Sequence, residues 1–166
     1  MTHKSSSETP QGSLADQLTA PADKPFMDAA RALLRVGYLF GNDPGRPYHA
    51  HGLTLAQLDV LSALARADDA RLNCSEIAKR TLITKGGITG ILDRLEARGL
   101  VKRVPSRDDR RSTLVRLSAK GIEFFRKLYP EVARSNRQIF ETAFRPDQMK
   151  QFRELIALLI ECLETE

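Results

Sequence analysis

The chain has 166 residues, 42% of them hydrophobic and 28% charged, which is an ordinary composition for a globular protein with its own core. Its longest apolar run, residues 155–160, is too short to span a membrane, and residues 1–13 lack the apolar segment of a signal peptide, so a cytoplasmic protein is expected. The net charge of +5 is uneven: residues 79–127 hold 14 Lys and Arg but 5 Asp and Glu, whereas the remainder has a net charge of −4. A basic middle segment of this kind is typical of a nucleic-acid-binding protein.

The two cysteines, Cys74 and Cys162, lie far apart and fit no metal-ligand spacing. The favoured interpretation is two reduced thiols. The alternative is a redox sensor at Cys74, because its predicted position at a helix N-terminus would favour the thiolate.

The N-terminal part of the chain is predicted to hold an arm and one long helix. Residues 1–24 have little hydrophobic periodicity and are expected to form a flexible arm with one helical turn around residues 14–18. Residues 25–52 are expected to form a helix from Pro25, which ends at the helix-breaking segment GNDPG, and then the loop RPYHAHG.

The next segment, residues 53–118, combines three helices with a β-hairpin. Polar residues in N-cap positions begin the helices: Thr54, Asn73 and Thr84. The third helix is predicted to end at Gly99, and Leu72 is predicted to form a short β-bridge. Alternating apolar and polar residues predict strands at 100–104 and 113–117, on either side of the tip SRDDRRS.

Residues 119–166 are predicted to form two helices. Ser118 is the predicted N-cap of a long helix that bends at Pro130, and Pro146 begins the last helix. The apolar stripe of that last helix is wider than the surface of a monomer requires. We therefore expect a dimer interface, and the alternative is a helix buried in its own domain.

Two short helices followed by a two-stranded hairpin make a winged helix-turn-helix, in which the second helix enters the major groove of DNA. The predicted fold is mainly α with a small antiparallel β-hairpin, a winged helix-turn-helix flanked by N- and C-terminal dimerisation helices. Hydroxyl, glycine and cationic residues occupy the outward positions of the second helix and suit contact with phosphates and base edges. The candidate DNA-binding residues on this helix are Thr84, Lys85, Gly86, Thr89, Gly90 and Arg94.

Three glycines in this helix, Gly86, Gly87 and Gly90, are unfavourable by about 1 kcal/mol each relative to alanine. The favoured interpretation is that small residues let the helix backbone lie close to DNA. The alternative is a weakly helical turn without a functional role.

The segment TKGGITGILDRLEARGLVKR, followed by SRDDRRSTLVRLSAKG, resembles the recognition helix and wing of the MarR family of bacterial transcription regulators. The specific part of the resemblance runs from about Leu53 to Gly121, and the flanking helices extend it to about residues 25–164. Its signatures are the D-x-R motif at Asp109 and Arg111, the DRLE segment and the GLV turn.

The resemblance implies an obligate homodimer that binds a pseudo-palindromic operator, commonly as a repressor, and releases it when a small ligand binds. Such ligands are often aromatic or phenolic, and an aromatic acid or its thioester is the kind of effector expected. In the wing, Arg111 would enter the minor groove, oriented by Asp109, while Arg107 and Arg110 would contact phosphates. Four residues are candidates for the ligand pocket, each with an ordinary packing role as the alternative: Tyr38, Tyr48, His49 and His51.

Other functions fit the sequence less well. A zinc-responsive regulator could use His49 and His51, but no Cys, Asp or Glu lies close to them in the sequence. Cys74 is not at the position used by the peroxide sensors of the family. A winged-helix protein-interaction module without DNA binding would have a neutral or acidic wing tip. No cluster of nucleophile, base and orienting group is visible, so neither an enzyme nor a cofactor is expected.

Overall fold

The computed structural model describes residues 13–67, 71–81, 83–105 and 113–165. Within these ranges the chain is mainly helical, with a small antiparallel sheet, which confirms the predicted fold class. None of the described helices is both long enough and apolar enough to cross a membrane. In chain order the elements are α1 (Leu14–Leu18), α2 (Lys24–Asn42), α3 (Pro47–Ala50), α4 (Leu55–Arg66), β1 (Arg71–Asn73), α5 (Cys74–Arg80), α6 (Lys85–Ala97), β2 (Val101–Pro105), β3 (Thr113–Leu117), α7 (Ala119–Ala143) and α8 (Pro146–Glu164).

Local capping explains where several helices begin. The Thr54 hydroxyl accepts a hydrogen bond from the Gln57 amide, and the Gln57 side chain accepts one from the Thr54 amide at 2.9 Å. Asn73 and Glu76 make the same reciprocal pair at the start of α5, so both predicted caps are confirmed. Thr84 lies at the N-cap position of α6 as predicted, but its side chain makes no capping hydrogen bond.

The sheet has the strand order β1-β3-β2, and both pairings are antiparallel. β1 has three residues rather than the single bridge predicted at Leu72. One face of the sheet is buried and the other carries exposed basic residues, as the alternation in the sequence predicted. The buried side chains of the inner face are Leu72, Val101, Val115 and Leu117.

The chain divides into two compact units, one ending at Asp43 and the other beginning at Pro44. In the first unit, α2 buries none of its side chains and exposes several large apolar ones, among them Phe26 and Leu34. In the second unit α4 lies at the centre of the core. Its buried apolar residues are Leu58, Val60, Leu61, Ala63 and Leu64.

The segment RPYHAHG, predicted as a loop, contains the short helix α3. Pro47 occupies the first turn of α3, where its fixed φ favours a helix. The preceding Arg46 is buried, with 2% of its surface exposed, and its guanidinium donates to Ser135 Oγ at 3.3 Å and to Asn136 Oδ1. The prediction missed α3 because these α7 partners are remote in sequence.

The end of α6 and the start of α7 meet in a close junction. Gly99 has φ +71°, the left-handed conformation predicted for the residue after the helix. The Ser118 amide donates to the Leu100 carbonyl at 3.0 Å, and the Ser118 hydroxyl caps α7 by accepting from the Gly121 amide at 2.9 Å. A Cβ on Gly121 would lie 1.9 Å from the Leu100 carbonyl oxygen, so only glycine fits this approach.

Candidate nucleic-acid interface

Helix α6 has one buried face and one exposed face. Ile88, Leu92 and Leu95 are fully buried and anchor the helix in the core of the second unit. Lys85 begins α6, but its side chain lies outside the described part of the structure. The other candidate residues of this helix are all exposed on the opposite face: Thr84, Gly86, Thr89, Gly90 and Arg94. The helix therefore presents hydroxyl, cationic and side-chain-free positions to the outside.

Two of the α6 glycines have no packing role among the residues that the structure describes. A Cβ built on Gly86 or on Gly90 would meet no heavy atom within 4 Å. At Gly87 it would lie 3.4 Å from Ile83 Cγ2, an ordinary van der Waals distance. Because alanine would fit at Gly86 and Gly90 and would favour the helix, the fold gives no reason for glycine at these two positions.

Arg103 of β2 fastens the hairpin to α6. Its guanidinium donates to Asp93 Oδ1 at 2.6 Å and to Glu96 Oε2, while its amide donates to Glu96 Oε1 at 3.1 Å. The Asp93 side chain is the main reason why the pKa of Arg103 is raised above its ordinary value, with a smaller contribution from Glu96. The sequence reasoning missed this role, although an arginine within ten residues of two carboxylates was a usable signal.

We expect Arg103→Lys to loosen this attachment, because a lysine ammonium cannot bridge two carboxylates as a forked guanidinium does. The free energy of unfolding should fall by about 1 kcal/mol, since the ion pairs are partly exposed. The amides of β2 should exchange faster with solvent when followed by NMR or mass spectrometry. Unchanged exchange in β2 would show that Arg103 does not hold the hairpin to α6.

The C-terminal end of α6 is held by a second arginine. Arg98 donates to the Gly52 carbonyl at 2.7 Å and to the His51 carbonyl at 2.9 Å, while its own carbonyl accepts from Lys120 Nζ at 2.8 Å. Its guanidinium carbon lies 5.7 Å from the centre of the Phe124 ring, within range of a cation–π interaction. Arg98 thus joins three segments: the loop before α4, the end of α6 and the start of α7.

The wing-tip predictions fall outside the described residues. These are Arg107, Asp109, Arg110 and Arg111. The strands that carry the tip are described, and their last pair is Pro105 opposite Thr113.

The four candidate ligand-binding residues lie in different environments. Tyr48 is buried, with its ring centre 4.5 Å from that of the exposed His49. His51 is half-buried, with its ring edge-on to Phe124 and its Nε2 atom 3.1 Å from Glu131 Oε2. Tyr38 belongs to the first unit, where 68% of its surface is exposed. The structure therefore brings Tyr48 and His49 together, and it adds Phe124 and Glu131 as neighbours of His51 that the sequence did not indicate.

Metal binding finds no support in the described part of the chain. Within it, no group of three or more His, Cys, Asp or Glu side chains lies close enough to hold a metal ion. Cys74 and Cys162 are both free and exposed thiols.

The core of the second unit, two short helices followed by an antiparallel hairpin, defines a winged helix-turn-helix protein, and α6 is its recognition helix. The sequence profile of the MarR family matches residues 51–112, which include this recognition helix. The transcriptional regulator YfiV of Bacillus subtilis is 32% identical over 112 residues, 68% of each chain. The chain belongs to the MarR family of transcriptional regulators, and this membership confirms the prediction that it is not an enzyme.

Other relatives are matched over shorter parts of their length. The chain is 33% identical to the regulator PapX of Escherichia coli over 95 residues, 57% of this chain and 58% of PapX. The similar regulator PrsX of Escherichia coli is spanned over only 48% of its length. A protein named the homoprotocatechuate degradative operon repressor, also from Escherichia coli, is 29% identical over 106 residues, 64% of this chain and 70% of that protein.

Solved structures of MarR-family regulators share the fold. AbsC from Streptomyces coelicolor superposes with a TM-score of 0.76 at 24% identity, over 89% of this chain and 98% of AbsC. Sco3205 from the same organism, solved in complex with DNA, gives a TM-score of 0.75 at 24% identity, over 87% of this chain and 93% of Sco3205. At these identities the likeness extends to the fold alone.

Proposed function

We propose that the chain binds a pseudo-palindromic DNA operator as a homodimer, represses transcription there, and releases the DNA when a small ligand binds. The observation that carries this proposal is the exposed face of α6, where Gly86 and Gly90 leave the backbone uncovered by side chains and Thr89 and Arg94 are exposed beside them. A helix backbone without Cβ atoms can approach the DNA closely, and the neighbouring hydroxyl and cation can bond to phosphates or base edges.

The proposed docking places one recognition helix in each of two major-groove segments, about 34 Å apart along the DNA. Thr84 and Lys85 would lie near a phosphate at the N-terminus of α6, where backbone amides favour an anion. In the wing, Arg111 would enter the minor groove, oriented by Asp109, and Arg107 and Arg110 would bind flanking phosphates. The complex of Sco3205 with DNA supports this proposal to the extent that the two proteins share a fold.

The homodimer is supported by apolar surface on the terminal helices. Helix α8 buries none of its residues, and three of its leucines, Leu155, Leu158 and Leu163, each expose more than 60% of their surface. Helix α2 also exposes large apolar side chains, including 75% of Phe26 and 77% of Leu34. Soluble monomers rarely expose apolar surface on this scale, and a second copy of the chain would cover it.

A small aromatic acid, or its thioester, is the proposed effector. The relative named after homoprotocatechuate degradation supports a link to aromatic chemistry. We place the effector near Tyr48, His49 and His51, because rings and imidazoles suit an aromatic carboxylate. A ligand that binds the folded protein must raise its melting temperature, so a thermal-shift screen of aromatic acids tests this part of the proposal.

Replacing Gly90 with alanine tests the DNA-binding face. The variant should be more stable by about 1 kcal/mol, because alanine favours a helix and the added methyl group would lie more than 4 Å from every described heavy atom outside its two chain neighbours and the helix's own backbone. Its affinity for operator DNA should nevertheless fall at least tenfold, since the methyl group would stand between the backbone and the DNA. Urea unfolding measures the first effect, and fluorescence anisotropy with labelled operator duplex measures the second.

The opposite signs of these two effects make the experiment decisive. Damage to the fold would lower stability and affinity together. If the Gly90→Ala protein is more stable and still binds operator as tightly as the wild type does, the exposed face of α6 is not part of the DNA interface.

A further inference from the structure

The outer face of the three-stranded sheet carries a row of three cations, one from each strand. Arg116 of β3 lies opposite Arg71 of β1 on one side and opposite Lys102 of β2 on the other. All three residues are exposed. We call Arg71, Arg116 and Lys102 the cation row.

Such a row is unfavourable in the isolated protein. Residues directly opposite in neighbouring strands have Cβ atoms about 5 Å apart, and like charges at that distance destabilise a sheet. None of the three side chains makes a hydrogen bond or ion pair with another residue in the described part of the chain. Since no described residue offsets this repulsion, an anion from outside the chain would explain why the charges are placed together.

Two members of the cation row, Lys102 and Arg116, lie on the hairpin strands that carry the proposed wing tip. The inner face of the sheet, which includes Val115 and Leu117, is buried in the core, so the cation row faces away from it. The next row toward the wing tip consists of Val104, Leu114 and Asn73, and β2 and β3 then lead into the arginine-rich segment 106–112. The cation row therefore lies on the sheet whose strands β2 and β3 carry the proposed wing tip, separated from segment 106–112 by one outer-face row of uncharged side chains.

We propose that the cation row binds backbone phosphates of DNA that flanks the segment held by the recognition helices and wing tips. This inference rests on the proposed function and extends its footprint. Three strands about 4.8 Å apart place the cations along roughly 10 Å, and duplex DNA carries one negative charge per about 1.7 Å of its axis. Over that length a duplex carries about six negative charges, enough for each of the three cations to meet a phosphate.

The chemistry of the face favours DNA over an acidic protein partner. Protein interfaces are centred on apolar or aromatic anchors and are depleted in charged residues at their core. The described outer face of the sheet carries no aromatic residue, and its largest apolar side chains, Val104 and Leu114, are half-buried. Phosphate binding needs only cations and carries no requirement for an apolar anchor.

The test uses full-length wild-type protein and the double variant Arg71→Gln/Arg116→Gln. The wild-type protein first selects its DNA site from a random duplex library. That site is then placed at the centre of two duplexes, a short one of about 20 base pairs (two helical turns) and a long one of about 40 base pairs. Dissociation constants are measured by fluorescence anisotropy over a range of salt concentrations. Arg134→Gln/Arg137→Gln, which removes two exposed cations of α7, controls for net charge, and Arg111→Ala removes the proposed minor-groove cation of the wing.

We expect the cation-row variant to bind the short duplex nearly as the wild type does and the long duplex at least tenfold more weakly. On the long duplex, the slope of the logarithm of its binding constant against the logarithm of the salt concentration should become shallower by about 0.9 for each phosphate that the variant no longer neutralises. Its melting temperature should equal or exceed that of the wild type, because the cross-strand repulsion is relieved. Arg111→Ala should weaken binding to both duplexes.

Three other outcomes would overturn the inference. A cation-row variant that matches Arg134→Gln/Arg137→Gln on the long duplex, in affinity and in salt dependence, would show that the cation row does not bind DNA and would point to an acidic protein partner instead. An equal loss of affinity on both duplexes would show that the cation row does not bind the DNA that flanks the selected site. If the wild-type protein selects no DNA site at all, the proposed function fails, and the inference fails with it.

Discussion

Gly121→Ala should unfold the protein under conditions in which the wild type is stable. The added Cβ would lie 1.9 Å from the Leu100 carbonyl oxygen, and a backbone atom cannot move aside as a flexible side chain can. Moving α7 away would also stretch the hydrogen bond from the Ser118 amide to that carbonyl. We expect the free energy of unfolding to fall by about 3 kcal/mol or more, at the upper end of the usual range for overpacking.

Urea unfolding followed by circular dichroism measures this effect. Gly86→Ala provides the control, because it makes the same substitution in a helix where the methyl group meets no heavy atom within 4 Å. The control should be at least as stable as the wild type. A Gly121→Ala protein with an unchanged unfolding midpoint would mean that α7 does not approach the Leu100 backbone as closely as described.

The double variant Leu155→Glu/Leu159→Glu should be monomeric and should lose operator binding at least a hundredfold. The two residues lie one helical turn apart on α8 and expose 66% and 40% of their surface, so the substitutions bury no charge within a single chain. In the proposed homodimer they would place carboxylates in an apolar interface, which is strongly unfavourable. A monomer binds one half-site and loses the contribution of the second.

Size-exclusion chromatography with light scattering gives the oligomeric state, and circular dichroism shows whether the fold is retained. Glu154→Gln, on the same helix, is a control that should stay dimeric. A folded double variant that remains dimeric would show that this part of α8 is not the interface, and a monomer with full operator affinity would contradict the proposed two-site binding.

Local sequence signals predicted much of the fold because they depend on neighbours in the chain. Thr54 and Asn73 cap their helices with partners three residues away, and Gly99 adopts the left-handed conformation that follows a helix. Alternation along residues 113–117 likewise predicted the buried and exposed faces of β3.

The features that the sequence did not reveal depend on residues far apart in the chain. The sequence around Arg46 predicts an exposed arginine in a loop. In the structure Arg46 is buried and donates to Ser135 and Asn136, which follow it by 89 and 90 residues. The cation row requires the register of three strands, and no local pattern specifies that Arg71 faces Arg116. The exposure of Thr89, Gly90 and Arg94 on α6 was easier to predict, because helical periodicity alone separates the exposed and buried faces of the helix.

The junction between Gly99, Leu100 and Gly121 gives α7 the mechanical role of a lever. A helix of 25 residues is about 37 Å long. Its first turn is held, without an intervening side chain, against the Leu100 backbone in the turn that follows the recognition helix, so we expect a change in the angle of α7 to be passed to that turn. A rotation of about 5° at this joint corresponds to a displacement of about 3 Å at the far end of α7. A small shift at the distal end of α7 would therefore re-aim the helix proposed to enter DNA.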